Sequence, residues 1–349
     1  MLDLINHVVK ISARRDRTEI NSAMIDALTE LFHPLRATIH RCFTGRNKAI
    51  FFPCAGFGPD GPFLRNAYLP DRQHCQGVEH DQLLQRCRLE ASAVLERQDD
   101  GSHRIVFPII RREEPSYMID LVLLDEFSAD QRVALMGLIE YFGNHIALLD
   151  YGEGDSLTGL ASRKTFDKHL FELLGKAASD ELLGNGKTHP RRRRGSSSEA
   201  SHWLAVCDID HFKQVNDNFG HLIGDEVLIM VAQVMRQAFR FDDQLFRFGG
   251  EEFVALLQPT DPASALATLE RFRSQIAQQV FSRVGHVTVS IGFSRLQPHD
   301  TPADAIDRAD EALYFAKRQG RNRIDCYEDL VARQLLTAKE FVGGEVELF

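Results

Sequence analysis

Apolar positions along this chain change period several times, and each change marks an element. Apolar residues at helical spacing run from about Ile20 to Leu31. Four alternating or continuous apolar runs follow at Ala37–Cys42, Ala49–Phe52, Arg104–Ile110 and Tyr117–Leu124, and these read as strands. Leu135, Ile139, Phe142, Ile146 and Leu149 then return to a 4-3-4-3 spacing on one long helix. Further on, Trp203–Cys207 is a short apolar run of buried-strand type, and Val227, Leu228, Val231 and Val234 line one side of a helix. Phe246-Arg247-Phe248 and Phe253–Leu257 flank Gly249-Gly250, which predicts a tight hairpin because both turn positions tolerate positive φ. Ala305, Ile306, Ala309, Ala312, Leu313 and Ala316 make a last apolar stripe, and Gly320 reads as its stop.

This order predicts two domains. Helix, then strands, then a long exit helix is an α+β pattern over residues 1–127. Residues 128–154 form a linker helix, opened by a capping box of Ser128 and Gln131. Its heptad stripe either seals a dimer or packs on its own domain. Residues 155–329 form the second domain, with a flexible insertion at about 176–201, and 330–349 form a tail. Within that insertion, Arg191–Arg194 and Gly195–Ser198 lack any apolar period, so a solvated loop is expected.

Composition narrows the class. The chain has 349 residues, 44% hydrophobic and 26% charged, an ordinary balance for globular domains with their own cores. A net charge of −9 argues against nucleic acid as a partner. No apolar stretch approaches the ~20 residues of a membrane span. Six cysteines without a framework spacing fit reduced thiols and a cytoplasmic protein. Cys42, Cys54, His74, Cys75, His80 and Cys87 show no metal-ligand or haem spacing.

The candidate chemistry is acidic. Glu251 and Glu252 come directly after the hairpin turn, where adjacent carboxylates repel and favour a cation. The Trp203 run ends in Asp208-Ile209-Asp210, which puts two carboxylates on one side of a strand with the Ile209 carbonyl between them. Carboxylate and carbonyl oxygens suit Mg²⁺ or Mn²⁺. The plainer alternatives are a solvated hairpin tip and a pair of helix-capping aspartates.

From Asp155 to Tyr327 the chain resembles a GGDEF-type diguanylate cyclase, with Glu in the third place of the signature. Five ordered segments carry the resemblance. These are Asp155–Leu160 with Ser162-Arg163; Asp208–Lys213 through Asn216-Asp217; Phe219-Gly220-His221 through Gly224–Leu228; the Arg247–Phe253 hairpin; and Ala312–Lys317 with Gly320-Arg321-Asn322. The resemblance implies a palm-like fold, a central and mostly antiparallel sheet flanked by helices. It also implies condensation of two GTP into cyclic di-GMP by a homodimer, with two Mg²⁺ or Mn²⁺ ions per half-site. Asp208, the Ile209 carbonyl and Glu251 match the family's metal ligands. Glu251, or a metal-bound hydroxide it supports, is the candidate for taking the 3′-hydroxyl proton, with Glu252 as the alternative. Lys213, Lys317 and Arg321 match the family's phosphate contacts, and Asn216 and Asp225 match the guanine contacts; the amides of His211 and Phe212 can also face phosphate oxygens, and His221 is a further candidate substrate contact. Asp225 also reads as an N-cap for the Val227 helix.

Arg240-Phe241-Asp242-Asp243, with Arg271 beyond it, stands where the family places an inhibitory product site. A protein of another class, a receptor that binds cyclic di-GMP there without catalysis, is the alternative reading. In the first domain, the Ile119–Asp125 ending followed by a helix is similar to the close of GAF sensor domains, which implies an unknown small ligand or partner.

Overall fold

A computed structural model describes residues 2–44, 49–66, 72–75, 80–111, 114–182, 200–297 and 299–337. The chain divides into two compact units, residues 1–152 and 153–349. The Arg191–Arg194 segment lies outside the described residues.

The first unit opens with helices α1 (Leu2–Ser12) and α2 (Arg17–Phe32), and Asp16 caps α2 by accepting from the amides of Thr18 and Glu19. Strands β1 (Arg36–Thr44), β2 (Ala49–Gly58) and β3 (Gly61–Leu64) follow, then helices α3 (Arg72–Cys75) and α4 (Gln82–Glu90). Strands β4 (Val94–Arg97), β5 (His103–Arg111) and β6 (Glu114–Leu123) complete an antiparallel sheet of order β3-β2-β1-β6-β5-β4. The four strands expected from sequence are β1, β2, β5 and β6. On one face Phe51, Val106 and Met118 pack with Leu83, Leu84 and Cys87 of α4. Beside them Arg104 forks onto Asp120 (2.9 and 2.8 Å) and reaches Asp81 (2.7 Å).

The long helix α5 (Ala129–Glu153) carries the expected capping box, with Ser128 and Gln131 exchanging backbone-to-side-chain bonds of 3.0 and 3.2 Å. Its heptad stripe is not an open seam. Leu135, Ile139, Phe142 and Ile146 are buried within the first unit, where Phe142 meets Tyr117 edge-on at 6.2 Å. Arg17 and Arg111 both pair with Asp150 near the end of the helix. The periodicity marked a buried face, and the face is covered by the unit itself. The helix expected as a separate linker thus belongs almost wholly to the first unit.

All six cysteines are free. Burial pushes the Cys54 and Cys87 thiols up to about 12, so they stay protonated and inert. No described helix is long and apolar enough to cross a membrane.

The second unit comprises β7 (Ala161–Ser162), α6 (Arg163–Leu182), β8 (Ser201–Ile209), α7 (Phe212–Phe219), α8 (His221–Ala238), β9 (Gln244–Gly249), β10 (Glu252–Thr260), α9 (Pro262–Gln278), β11 (Val289–Arg295), α10 (Pro302–Arg318), β12 (Ile324–Cys326) and α11 (Tyr327–Ala332). Its sheet runs β12-β11-β8-β10-β9-β7, antiparallel except for the outer pairs β11–β12 and β7–β9. This is the mostly antiparallel, helix-flanked sheet that the sequence implied. Ala205, Cys207, Phe253 and Ile291 face α7, α8 and α9. Leu204, Val206, Val254 and Phe246 face α6 and α10. The expected tail is partly core, because Leu330 of α11 is buried with Tyr327 against Ala312.

Two glycines fix how closely elements approach. A Cβ on Gly292 of β11 would lie 2.1 Å from both the Ala309 carbonyl oxygen and the Leu313 nitrogen, so α10 rests directly on the strand. A Cβ on Gly224 of α8 would lie 2.0 Å from Asn216 Oδ1, so the Asn216 side chain occupies the space that Gly224 leaves.

Candidate active site

The acidic residues meet at one end of β8 and β10 because of register. Glu252 sits directly across from Asp208, and Ser290 of β11 flanks Asp208 on its other side. Directly opposed residues share a face, so the Asp208 and Glu252 side chains leave the sheet together. The Gly249-Gly250 turn (φ 142° and 52°) delivers Glu251, whose carbonyl accepts from the Ile209 amide at 3.4 Å. Arg247 braces this turn, donating to the Gly250 carbonyl (3.2 and 2.8 Å) and to Asp155 (3.0 and 3.1 Å). Asp155 in turn accepts from the Thr158 amide and hydroxyl. The Asp155–Leu160 segment thereby holds the hairpin base.

From α10, Lys317 Nζ reaches Asp208 Oδ2 at 2.9 Å. Burial raises the Asp208 carboxyl above its usual range, and the neighbouring Glu252 and Asp210 charges add to the rise against the pull of Lys317. Glu251 is raised by burial and by Asp208. Asp310, seven residues before Lys317 on α10, is raised by burial and by Glu252. Sequence reading missed Asp310; its only signal is that it shares a helix face with Lys317.

All three carboxyls are raised first by burial and then by neighbouring carboxylate charge, against the pull of Lys317. Among the described residues no three His, Cys, Asp or Glu side chains converge on one point. Asp208, Glu251 and the Ile209 carbonyl could offer a metal two carboxylates and one backbone carbonyl, which would leave positions for water and phosphate oxygens. That suits Mg²⁺ or Mn²⁺, which commonly take few protein ligands at phosphate-transfer sites.

The second aspartate is held by donors of its own. Asp210 is 6% exposed, on the side of the strand that Asp208 and Ser290 share. It accepts from the Thr288 hydroxyl (2.6 Å), the Ser290 hydroxyl (2.7 Å) and the Asn322 amide (3.0 Å).

Helix α7 begins at Phe212 with His211 in a left-handed conformation (φ 60°) and no side-chain cap. Its first amides therefore lack the usual intrahelical acceptors. The Phe212 ring is buried in the core, so only its backbone is available, whereas Lys213 is exposed. Helix α10 ends in a Schellman turn, with Gly320 left-handed (φ 109°) and the Arg321 amide bonded to the Ala316 carbonyl at 3.1 Å. Arg321 is exposed.

Asn216 lies in the last turns of α7 and packs on Gly224, next to Asp225. Asp225 is not an N-cap. Helix α8 starts at His221 with Gly220 as its cap residue, which places Asp225 more than a turn inside. The exposed His221 occupies the first helical position.

Arg240 and Asp243 form the tight turn between α8 and β9, and Arg271 of α9 donates to the Ala238 carbonyl just before it. The three residues are thus neighbours. The Asp243 carboxylate is committed to backbone, accepting from the Arg240 amide (2.9 Å) and the Gln258 amide (3.0 Å). Its burial and these two amides tie it to the turn.

Residues 187–323 match the family model described as diguanylate cyclase, GGDEF domain. Over 172 residues the chain is 39% identical to diguanylate cyclase DgcP of Pseudomonas aeruginosa, which covers 46% of this chain and 26% of that protein. Over 170 residues it is 35% identical to diguanylate cyclase DgcM of Escherichia coli K12, covering 49% of this chain and 37% of that one. The chain thus spans about a quarter to just over a third of these relatives. Among solved structures it is similar to the GGDEF domain of DgcB from Caulobacter crescentus in complex with c-di-GMP, with 34% identity, 50% of this chain and 96% of that chain covered, and a TM-score of 0.42.

Proposed function

We propose that this protein is a diguanylate cyclase that joins two GTP molecules into cyclic di-GMP with release of two pyrophosphates. The observation that carries this reading is the Asp208–Glu252 pair in register, with Glu251 beside it and Lys317 bonded to Asp208, inside a GGDEF domain.

In each of two transfers, the 3′-oxygen of one GTP forms a bond to the α-phosphorus of the other. The bond from that phosphorus to the pyrophosphate bridging oxygen breaks, and the 3′-hydroxyl proton passes to a base. Glu251 is the base. Glu252, exposed on the same edge, is the runner-up. Asp208, the Ile209 carbonyl and Glu251 would hold Mg²⁺ or Mn²⁺, two ions per half-site, which supply charge beside the transferring phosphate. Lys317, Lys213, Arg321 and the first amides of α7 grip the triphosphate, with His211 and His221 at its margin. Leaving Asp208 for a phosphate oxygen costs Lys317 one ion pair and gains another.

One half-site holds one GTP, so ring closure requires two copies face to face, which a two-fold homodimer provides. Because the α5 stripe is covered within the first unit, that dimer draws on other surfaces. The first unit is read as a GAF-like sensor, supported by its six-stranded antiparallel sheet with helices on both sides and its loose likeness in sequence. An unidentified small ligand there would shift how often half-sites meet. Arg240 and Arg271 are read as a product-feedback site; with Asp243 tied to backbone, they bind through arginine–phosphate contacts. A chain acting purely as a cyclic di-GMP receptor, through Arg240 and Asp243, is disfavoured by that tie and by the intact acidic row.

Base choice tests the reading. Asp225 accepts from guanine N1–H and the 2-amino group together, and Asn216 serves the remaining edge. Adenine offers neither donor, and sites built on such bonds reject the wrong partner by several orders of magnitude. Calorimetric titration with Mg²⁺ should show GTP strongly preferred over ATP, and Asp225→Ala and Asn216→Ala should each lose GTP binding with an unchanged melting temperature. Equal affinity for both nucleotides in the wild type contradicts the assignment.

A further inference from the structure

The two aspartates of Asp208-Ile209-Asp210 point to different tasks. Asp208 pairs with Lys317 in the acidic row, whereas the Asp210 carboxylate is taken up by donors from β11, the residue before it and the turn after α10. Oδ1 accepts from Ser290, and Oδ2 accepts from both Thr288 and the Asn322 amide. The Asp210 amide itself donates to the Thr288 carbonyl at 2.9 Å. The carboxylate is 6% exposed, and three donors account for its charge.

The segment it grips is conformationally costly. Gly320, Arg321 and Asn322 have φ of 109°, 61° and 48°, three left-handed residues in a row, two of them not glycine. L-residues rarely adopt this conformation, because Cβ crowds the following carbonyl oxygen. Such a segment persists only when its surroundings over-determine it. Two clamps do so, both on Asn322. Asp210 holds its amide, and Arg273 of α9 reaches its carbonyl (3.3 Å) and side-chain oxygen (2.5 Å). Arg273 is itself fixed by Glu270 at 2.9 and 2.5 Å. Arg321 is the residue immediately before the clamped one.

We infer that Asp210 is a positioning residue: it locks Asn322 and so sets the direction of Arg321 toward the triphosphate, and it is not a metal ligand. This inference rests on the cyclase reading of Arg321 and adds a role for a carboxylate beside the acidic row. The same carboxylate ties the end of the β8 strand to the turn after α10, so the metal edge and the phosphate edge are set by one side chain.

Asparagine separates the two roles. It keeps a carbonyl oxygen for Thr288 and Asn322 and an amide that Ser290 can accept, so positioning survives while the charge is lost. The test uses the full-length chain and calorimetric binding of a GTP analogue that cannot react at its α-phosphorus, with Mg²⁺, beside melting temperature and steady-state kinetics. Asp210→Asn should keep analogue affinity within about threefold, unlike Asp208→Asn. Asp210→Ala should weaken affinity by about tenfold, the loss of one well-aimed contact. Arg321→Ala should weaken it equally, and the double variant should be no worse than Arg321→Ala, because coupled residues are non-additive. Should Asp210→Ala fail to fold, Arg273→Ala loosens the other clamp and should give the same affinity loss. Additive losses, loss of Mg²⁺ dependence in Asp210→Asn, or unchanged affinity in the clamp variants would each overturn the inference. A wild-type chain that binds no GTP analogue overturns the cyclase reading itself, and the inference with it.

Discussion

Replacing Gly292 with alanine probes what seats α10, the helix that brings Lys317 to Asp208. The added methyl would lie 2.1 Å from the Ala309 oxygen and the Leu313 nitrogen and 2.7 Å from the Ala312 carbonyl carbon, all backbone atoms that no rotamer change can move. Ordinary carbon contacts are about 3.5 Å, so α10 must retreat by more than about 1 Å. Retreat separates Ala305, Ala309 and Leu313 from Leu204 and Val206. Overpacking of this kind costs roughly 1–3 kcal/mol. For a unit of this size that is a fall in melting temperature of roughly 2–12 °C. Lys317 moves with the helix, so its 2.9 Å bond to Asp208 opens and GTP affinity falls as well. Differential scanning calorimetry and nucleotide titration measure both effects. Gly137→Ala is the control, because nothing lies within 4 Å of its added methyl and a helical glycine gains up to about 1 kcal/mol from alanine. An unchanged melting temperature and unchanged GTP affinity in Gly292→Ala would refute the reasoning.

The raised carboxyls give a pH dependence with a definite sign. Asp208, Glu251 and Asp310 have folded values above their ordinary ones, so without metal they favour the folded state when protonated, and that contribution is lost as pH rises from the usual carboxylate range through the raised values. Mg²⁺ binds the ionised form, so the melting-temperature gain on adding it should be full at neutral pH and shrink on acidification through the raised carboxyl range. A Mg²⁺ gain that ignores pH, or that persists in Asp208→Asn, counts against the site.

What was legible in the sequence was local. The Gly249-Gly250 turn and the period-two runs around it specify a hairpin, and the carboxylates beside the turn ride on it. The Asp208 strand was legible for the same reason, although its pairing with Glu252 is a matter of register that only the folded sheet fixes. Tertiary partners were not legible. Asp210 is diverted by Thr288 and Ser290, about eighty residues away. Asp243 is diverted by the Gln258 amide across a hairpin. The α5 stripe announced a buried face, but periodicity is silent on whether a second copy or the same chain buries it. Asp225 resembled a cap because the apolar stripe begins at Val227, whereas the helix itself starts earlier at His221. Gly292 carried no local signal at all, since its need for space arises from a helix packed across the strand.

The central claim is that Asp208 and Glu251 serve a GTP-condensing site, and one measurement tests it most directly. Purified wild-type, Asp208→Asn and Glu251→Gln proteins are incubated with GTP and Mg²⁺, products are identified by mass, and folding is checked by circular dichroism. The account predicts cyclic di-GMP and pyrophosphate from the wild type only, with all three proteins folded. Near-normal turnover in either variant, or a wild type that leaves GTP unchanged at concentrations where it dimerises, would contradict it.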